Sequence, residues 1–203
     1  MTTLASPPVP GSPLPGLVPY RLSVGQYEAM VASGAFTKRD RLELIEGILV
    51  QKMTEGRKHS AGTIKVRQTI EAVLPPCWHV RIETPVRIPN RDSMPEPDVS
   101  VARGAADDYL DLDPGPDDVA LIVEVSDATL AADRALAATY GGGRISVYWI
   151  VNLIDRQIEV HANPVDGAYP APVIIPETGQ VDLVIDGQVV ARIPAADLLP
   201  RRP

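Results

Sequence analysis

Short apolar stretches separated by polar and turn-forming residues run along most of the chain, and their periodicity predicts a mixture of strands and helices. Two near-continuous apolar runs, VALIVEV and SVYWIVN, are typical of strands that are buried on both faces. Further strands are expected at HVRIET, PVRIP, PDVSVAR and RQIEVHA, since Pro, Asn and Asp turn signals separate them. We therefore expect a sheet whose central strands are fully covered.

Helical patterns and hairpin turns fill the intervals between these strands. Ser23 can cap a short first helix, and apolar residues recur at helical spacing over residues 59–74, until two prolines force a stop. A third helix is expected over residues 128–140, where consecutive glycines end it. The Glu46-Gly47 pair predicts a β-hairpin turn, and an Asp-Gly pair predicts another near the carboxyl end. The chain is thus expected to form an α/β fold.

The first 19 residues differ in composition from the rest of the chain. They include six prolines and few residues able to build a core, so residues 1–19 are predicted to form a disordered arm. Residues 20–203 are predicted to form one domain, because the length of 203 residues fits a single unit. A chain of that size buries about 70% of its surface on folding and needs no disulfide or structural metal ion to be stable.

Composition narrows the cellular setting and the range of partners. The single cysteine leaves no internal disulfide and no cysteine-based zinc site. No apolar run reaches the roughly 18 residues of a membrane span, and the first residues lack the features of a secretory signal, so a cytoplasmic protein without membrane contact is expected. The net charge of −7 is uneven: residues 1–103 carry 13 Lys/Arg against 10 Asp/Glu, and residues 104–203 carry 6 against 16. Only the first half could therefore offer a basic patch to phosphates.

Two acidic residues in strand patterns are the main candidates for chemistry. Glu124 lies inside VALIVEV, where a bare carboxylate is costly to bury unless it is paired or bound to a cation. Asp98 opens the PDVSVAR strand after a proline-stiffened turn. A hard divalent cation such as Mg²⁺ prefers oxygen ligands, typically one or two carboxylates with waters and phosphate oxygens. Asp98 and Glu124 are therefore predicted to bind a metal ion together; the alternatives are a Glu that reaches water or an arginine, and a turn-capping Asp.

The order of several motifs resembles the Uma2 family, a bacterial branch of the PD-(D/E)XK nuclease superfamily. The motifs are ELIEG, a histidine that opens the next helix, PEPDVSV, LIVEVSD, an Asp-Arg…Tyr helix and YWIVN, and together they span roughly residues 20–200. The resemblance implies a restriction-endonuclease-like fold, with a mixed central β-sheet flanked by helices and additional β-hairpins. It also implies Mg²⁺- or Mn²⁺-dependent hydrolysis of phosphodiester bonds in DNA, and self-association as a homodimer.

Within this resemblance, four residues would carry the chemistry. Asp98 and Glu124 match the acidic pair of the family motif and would hold the metal ion. Glu46, in ELIEG, matches an early acidic residue that could hold a second metal ion or its water. His59 matches the helix-opening histidine, which could touch the scissile phosphate. The alternatives are an exposed hairpin glutamate for Glu46 and a surface or capping histidine for His59.

One feature of the family pattern is missing from this chain. The family's lysine usually stands on the helix between the Asp-Arg pair and the tyrosine, but here only ALAAT separates Arg134 from Tyr140. In addition, Val147 stands where the family has an acidic residue. Losing one well-placed donor of this kind costs on the order of 10²–10³-fold in rate. Arg134 or Arg144 could replace the charge of the lysine, but neither could act as a base.

Three functions therefore stay open. The leading hypothesis is a divalent-metal-dependent endonuclease acting on DNA through Asp98, Glu124, Glu46 and His59. The rival is a catalytically silent module of the same fold that binds or oligomerises, which the missing lysine and the acidic second half favour. The third is a structural interaction protein, which would fail to bind nucleic acid even at low salt.

Overall fold

A computed structural model describes residues 18–37, 39–53 and 55–202. The predicted proline-rich arm, residues 1–19, lies outside these ranges except for its last two residues. The helices are α1 (Val24–Ala32), α2 (Arg57–Glu71), α3 (Leu130–Gly142) and α4 (Ala195–Leu198). Among the described residues, no helix is both long and apolar enough to cross a membrane.

Among the described residues, six strands form the central sheet, and two further pairs of strands form hairpins outside it. The strands are β1 (Leu42–Ile45), β2 (Ile48–Gln51), β3 (Trp78–Ile82), β4 (Val99–Arg103), β5 (Val119–Ser126), β6 (Val147–Asn152), β7 (Gln157–Ala162), β8 (Val173–Pro176), β9 (Gln180–Ile185) and β10 (Gln188–Pro194). The order in the central sheet is β3-β4-β5-β6-β7-β8. Strands β5 and β6 run parallel and α3 connects them, whereas the other neighbouring pairs are antiparallel. The predicted mixed sheet flanked by helices is confirmed.

The two central strands are buried along their whole length. Every residue of β5 and β6 is inaccessible to solvent or nearly so, as their near-continuous apolar sequences predict. Because successive side chains of a strand point to opposite faces, β5 contributes to two cores. Leu121, Val123 and Val125 pack with α2, α4 and the β9–β10 hairpin, and Ile122 packs on the other face with Tyr140 of α3.

The β1–β2 and β9–β10 hairpins close with turns that the sequence predicts. Glu46 and Gly47 have φ angles of 50° and 75°, and Asp186 and Gly187 have φ angles of 50° and 73°. Positive φ at both central residues is the requirement of a type I′ turn, which matches the twist of the flanking strands. The β1–β2 hairpin packs through Leu44 against α1. Both predicted hairpin turns are confirmed.

Helix α2 lies close to the central sheet where Gly62 faces β5. A Cβ atom on Gly62 would lie 2.7 Å from Cγ1 of Val125, so a larger residue would push the helix away from the strand. This close approach brings the first turn of α2, which carries His59, beside the start of β4 and the end of β5. The position of the candidate site is therefore set by helix–sheet packing.

One predicted strand is wrong. The stretch PVRIP forms an isolated bridge between Ile88 and Ser93, followed by a 3₁₀ turn at Pro89–Arg91. Its two prolines have no N–H group to donate to a neighbouring strand. The N–H of Val86 donates instead to the carbonyl of Pro95, a contact between two loop segments.

Candidate functional site

The register of the central sheet brings Asp98 and Glu124 together. Strands β4 and β5 are antiparallel and Val99 pairs with Val123, so Asp98, the residue before β4, lies beside Glu124. The N–H of Asp98 donates to Oε2 of Glu124 at 3.2 Å, and the N–H of Val125 donates to Oδ2 of Asp98 at 2.7 Å. Both carboxylates are thus hydrogen-bonded to the backbone where β4 begins and β5 ends.

The pKa values of the two carboxyl groups shift in opposite directions, although both groups are buried. Burial strongly raises the pKa of Glu124, and the neighbouring charge of Asp98 raises it further. Burial also acts to raise the pKa of Asp98, but the adjacent imidazole of His59 and the charge of Lys52 hold it below its ordinary value. The hydroxyl of Tyr140 donates to Oε1 of Glu124 at 2.9 Å. Without a further cation, two adjacent buried carboxylates cannot both ionise cheaply.

His59 and Glu55 lie directly beside Asp98. Nε2 of His59 is 3.2 Å from Oε2 of Glu55 and 3.3 Å from Oδ2 of Asp98. One donor atom from each of the three residues lies within 4.8 Å of the others, which is close enough for a single metal ion to reach all three. Burial lowers the pKa of His59, but the adjacent carboxylates of Asp98 and Glu55 outweigh it and leave the pKa raised.

Lys52, which follows β2, brings a positive charge into this cluster. Its Nζ donates to Oδ1 of Asp98 at 3.2 Å and to the carbonyl of Glu96 at 2.9 Å. Burial lowers the pKa of Lys52, but the carboxylates of Asp98, Glu124 and Glu43 raise it above its ordinary value, so the ammonium is charged. Sequence reasoning missed this lysine because it is 46 residues from Asp98 and no local pattern marks it.

The β1–β2 hairpin directs Glu43, and not Glu46, toward these charges. Glu43 is buried, and its pKa rises to about 7 because of burial, opposed by Lys52 and reinforced by Glu96 and Asp98. Side chains of β1 alternate between two faces, and Leu44 is fully buried on one of them. This alternation could have indicated that Glu43 points to the other face.

Glu46 lies in the hairpin turn, where its carboxylate already has partners. Nε of Arg91 donates to Oε1 at 2.9 Å, and an Arg91 guanidinium nitrogen is 2.8 Å from Oε2. The hydroxyl of Thr139 also donates to Oε1, at 2.9 Å. Glu46 lines a cavity that also contains Asp98, but its predicted role at a metal ion stays a prediction.

A cavity of about 880 Å³ joins the hairpin, the first turn of α2 and one side of α3. Its ionisable lining includes Glu43, Lys52, Glu55, His59, Asp98 and Glu124. Helix α3 adds Asp133, whose pKa burial raises and whose Oδ2 accepts a hydrogen bond from the Thr129 hydroxyl. The positions that lack the family lysine, Ala135, Leu136 and Ala138, form an apolar wall of this cavity.

The two arginines considered as substitutes for the missing lysine lie elsewhere. Arg134 donates two hydrogen bonds to Glu159 on β7, at 2.7 and 2.9 Å. Arg144 lies in the turn after α3. Lys52, which lines the same cavity, instead places its ammonium 3.2 Å from Asp98.

A mixed sheet with flanking helices and a carboxylate pair at one edge places the protein in the restriction-endonuclease-like class. The Uma2 family, described as "Putative restriction endonuclease", matches residues 24–193. The chain therefore belongs to the Uma2 family, and the resemblance seen in its motifs is confirmed.

Comparison with solved structures supports the same fold. A protein from Anabaena variabilis ATCC 29413, described as a "putative nuclease belonging to DUF820", aligns with a TM-score of 0.66 at 15% identity. The alignment covers 87% of this chain and 97% of that one. Among curated proteins, none matches the chain.

Proposed function

We propose that this protein is a divalent-metal-dependent endonuclease that hydrolyses phosphodiester bonds in DNA. The observation that carries the proposal is the buried pair of Asp98 and Glu124 on neighbouring strands, with the ammonium of Lys52 hydrogen-bonded to Asp98. Acidic pairs of this kind hold divalent cations through oxygen atoms. Membership of the Uma2 family and the nuclease-like fold support the same conclusion.

The residues present fit a divalent cation. Burial and the neighbouring charge of Asp98 raise the pKa of Glu124, and a bound cation would offset the cost of ionising both carboxyl groups. Glu55 and His59 place further donor atoms beside Asp98. A bound divalent cation supplies a Lewis acid for the phosphate and lowers the pKa of a coordinated water.

Lys52 supplies the charge that the α3 helix lacks. Its ammonium lies among Asp98, Glu55 and Glu96, where it can stabilise negative charge that develops on a phosphate oxygen. This is the reason to favour an active enzyme over a silent one. Glu43, with a pKa near 7, can accept a proton at neutral pH, as a general base must.

The cavity is also suited to a phosphodiester backbone. Its volume of about 880 Å³ lies within the usual range for ligand sites. Arg57 and Lys58 are exposed on the first turn of α2, next to His59, where they can contact flanking phosphates. Because phosphate contacts by cationic side chains release counterions from the DNA, we expect binding to weaken as salt increases.

Plasmid nicking tests the proposal directly. Purified protein is incubated with supercoiled plasmid and Mg²⁺, Mn²⁺ or EDTA, alongside Asp98→Asn and Glu124→Gln. Asp107→Asn, at an exposed position outside the cavity, is the control. Metal-dependent nicking by the wild type and the control, lost in both site variants, is the expected result. Nicking that survives in Asp98→Asn would show that another site or a contaminant is responsible.

A second candidate function is a silent module that binds nucleic acid without cutting it. The apolar wall formed by Ala135, Leu136 and Ala138 on α3 favours it, because the family lysine is absent there. Metal-independent DNA binding by a folded protein that never nicks plasmid would support this alternative.

Self-association as a homodimer also stays a prediction, which analytical ultracentrifugation tests.

A further inference from the structure

One of the donor atoms beside Asp98 is a nitrogen, whereas a typical magnesium site has only oxygen ligands. Nε2 of His59 lies between carboxylate oxygens of Glu55 and Asp98, at 3.2 and 3.3 Å. His59 is 7% exposed, and its buried Nε2 has no well-oriented hydrogen-bond partner among the described residues. In its neutral form the imidazole offers the Nε2 lone pair to a cation held by these carboxylates, so a bound cation would take the place of the ring proton.

The fold fixes the imidazole in this place. His59 is in the first turn of α2, and its carbonyl accepts a hydrogen bond from the hydroxyl of Thr63 at 3.2 Å. Gly62, on the same helix, allows the close approach to Val125 of β5. The ring therefore approaches Asp98 from a rigid element, as a precise ligand must.

The hydrogen bonds of the two strand carboxylates also favour the side that faces His59. Both oxygens of Glu124 already accept hydrogen bonds, from the Tyr140 hydroxyl and from the N–H of Asp98. Oδ1 of Asp98 accepts from Lys52, whereas Oδ2 lies beside the imidazole and accepts only the N–H of Val125 among the described residues. The space between Asp98, His59 and Glu55 is therefore where a cation next to the acidic pair can also reach a nitrogen ligand.

We infer that Glu55, His59 and Asp98 form a centre that selects a divalent transition-metal ion over Mg²⁺. Imidazole nitrogen is a good ligand for first-row transition ions, whereas Mg²⁺ demands oxygen ligands in a near-ideal octahedron. Two carboxylates and one imidazole therefore favour ions such as Mn²⁺ and Co²⁺. The inference deepens the proposed function and its biological meaning rests on that function, but metal binding itself is independent of cleavage.

Metal titration of the full chain without DNA tests the inference. The affinities of Mn²⁺, Co²⁺ and Mg²⁺ are measured by calorimetry for the wild type, His59→Asn and Glu55→Gln. Asparagine replaces the imidazole nitrogen with an amide oxygen, which Mg²⁺ accepts. We expect His59→Asn to weaken Co²⁺ and Mn²⁺ at least about tenfold while Mg²⁺ changes little. Glu55→Gln should weaken all three ions, since it removes a charged ligand that each can use.

His161→Asn is the matched control for the loss of a buried imidazole. His161 is also 7% exposed and its Nε2 also lacks a partner among the described residues, but it stacks on Tyr148 away from the cavity. Its metal affinities should equal those of the wild type, and thermal denaturation establishes that each variant is folded.

An unchanged ratio of Co²⁺ to Mg²⁺ affinity in folded His59→Asn would overturn the inference, and so would a wild type that binds none of the three ions. Selective binding without plasmid nicking would uphold the metal centre and reject the endonuclease. Nicking with equal use of Mg²⁺ and Mn²⁺, together with equal affinities for these ions, would uphold the endonuclease and reject the selective metal centre.

Discussion

The two faces of β5 illustrate how one strand serves stability and chemistry separately. Leu121, Val123 and Val125 pack in an entirely apolar core against α2 and the β9–β10 hairpin. On the opposite face, Ile122 is followed by Glu124, whose oxygens are held by Tyr140 and by the backbone of Asp98. The first face gains free energy from burying apolar area, whereas the second holds a carboxylate whose burial is unfavourable. Separating the two lets the strand carry a charged site without interrupting its main core.

The largest effect is expected from the apolar face. Leu121→Ala removes a fully buried side chain, so the free energy of unfolding should fall by about 2–5 kcal/mol. Urea denaturation measures the change, and Leu110→Ala, at a side chain that is 80% exposed, is the control. The nicking rate per folded molecule should stay at the wild-type value. A large loss of nicking in the folded variant would show that the two faces are not independent.

Lys52 tests the charged face. Lys52→Met keeps the length of the side chain but removes the ammonium beside Asp98, so nicking should slow by about 10²–10³-fold. Lys65→Met, on the part of α2 that faces a different pocket, should nick at the wild-type rate. Lys52→Arg should recover part of the activity because the charge is kept. Full activity in Lys52→Met would remove the lysine from the mechanism.

The pH dependence of stability sharpens the contrast. The pKa of Glu43 rises from 4.5 to about 7 in the folded protein, mainly because of burial. The folded state therefore binds more protons than the unfolded state between these pH values, and the free energy of unfolding should fall as pH rises through the interval. The contribution of Glu43 is up to about 3 kcal/mol.

Glu43→Gln isolates this contribution because glutamine does not titrate. Urea denaturation in EDTA between pH 4.5 and 8 should give a flatter profile for Glu43→Gln than for the wild type. Glu124 and Asp133, whose pKa values burial also raises, keep a residual slope in both proteins. Parallel profiles would contradict the raised pKa of Glu43.

The smallest effect is expected at Arg134, outside the cavity. Its guanidinium is half exposed, and Asn152 still donates to the buried Glu159 when the arginine is removed, so Arg134→Gln should cost about 1 kcal/mol of stability. Nicking should be unaffected, since Lys52 and not Arg134 contacts Asp98. A loss of nicking comparable to that of Lys52→Met would restore Arg134 as the substitute for the missing lysine.

Local patterns in the sequence predicted the fold better than the site. The buried strands β5 and β6 follow from continuous apolar runs, and both hairpin turns follow from residue pairs that tolerate positive φ. The approach of Asp98 to Glu124 was foreseeable because each marks a strand. PVRIP misled because its β-branched residues suggest a strand, while its prolines remove the donors that a ladder needs.

Contacts between distant segments could not be predicted in this way. Lys52 and Asp98 meet only because the β1–β2 hairpin folds against the sheet, and Glu55 meets His59 at the start of α2. In ELIEG the two glutamates look equivalent, and only the register of β1 decides that Glu43 faces Lys52 while Glu46 pairs with Arg91. The missing lysine on α3 was visible in the sequence, but its replacement was not.

The alternation of valine and glutamate along β5 also disfavours incorrect pairing of this strand with β4. A slip of one residue against β4 would turn Glu124 toward the apolar cluster around Val123 and Val125, and would put a valine in its place beside the cavity. Such a state would bury an unpaired charge and expose apolar area at the same time, so its free energy would be high. The carboxylate proposed for metal binding thus also favours the correct alignment of β5 against β4.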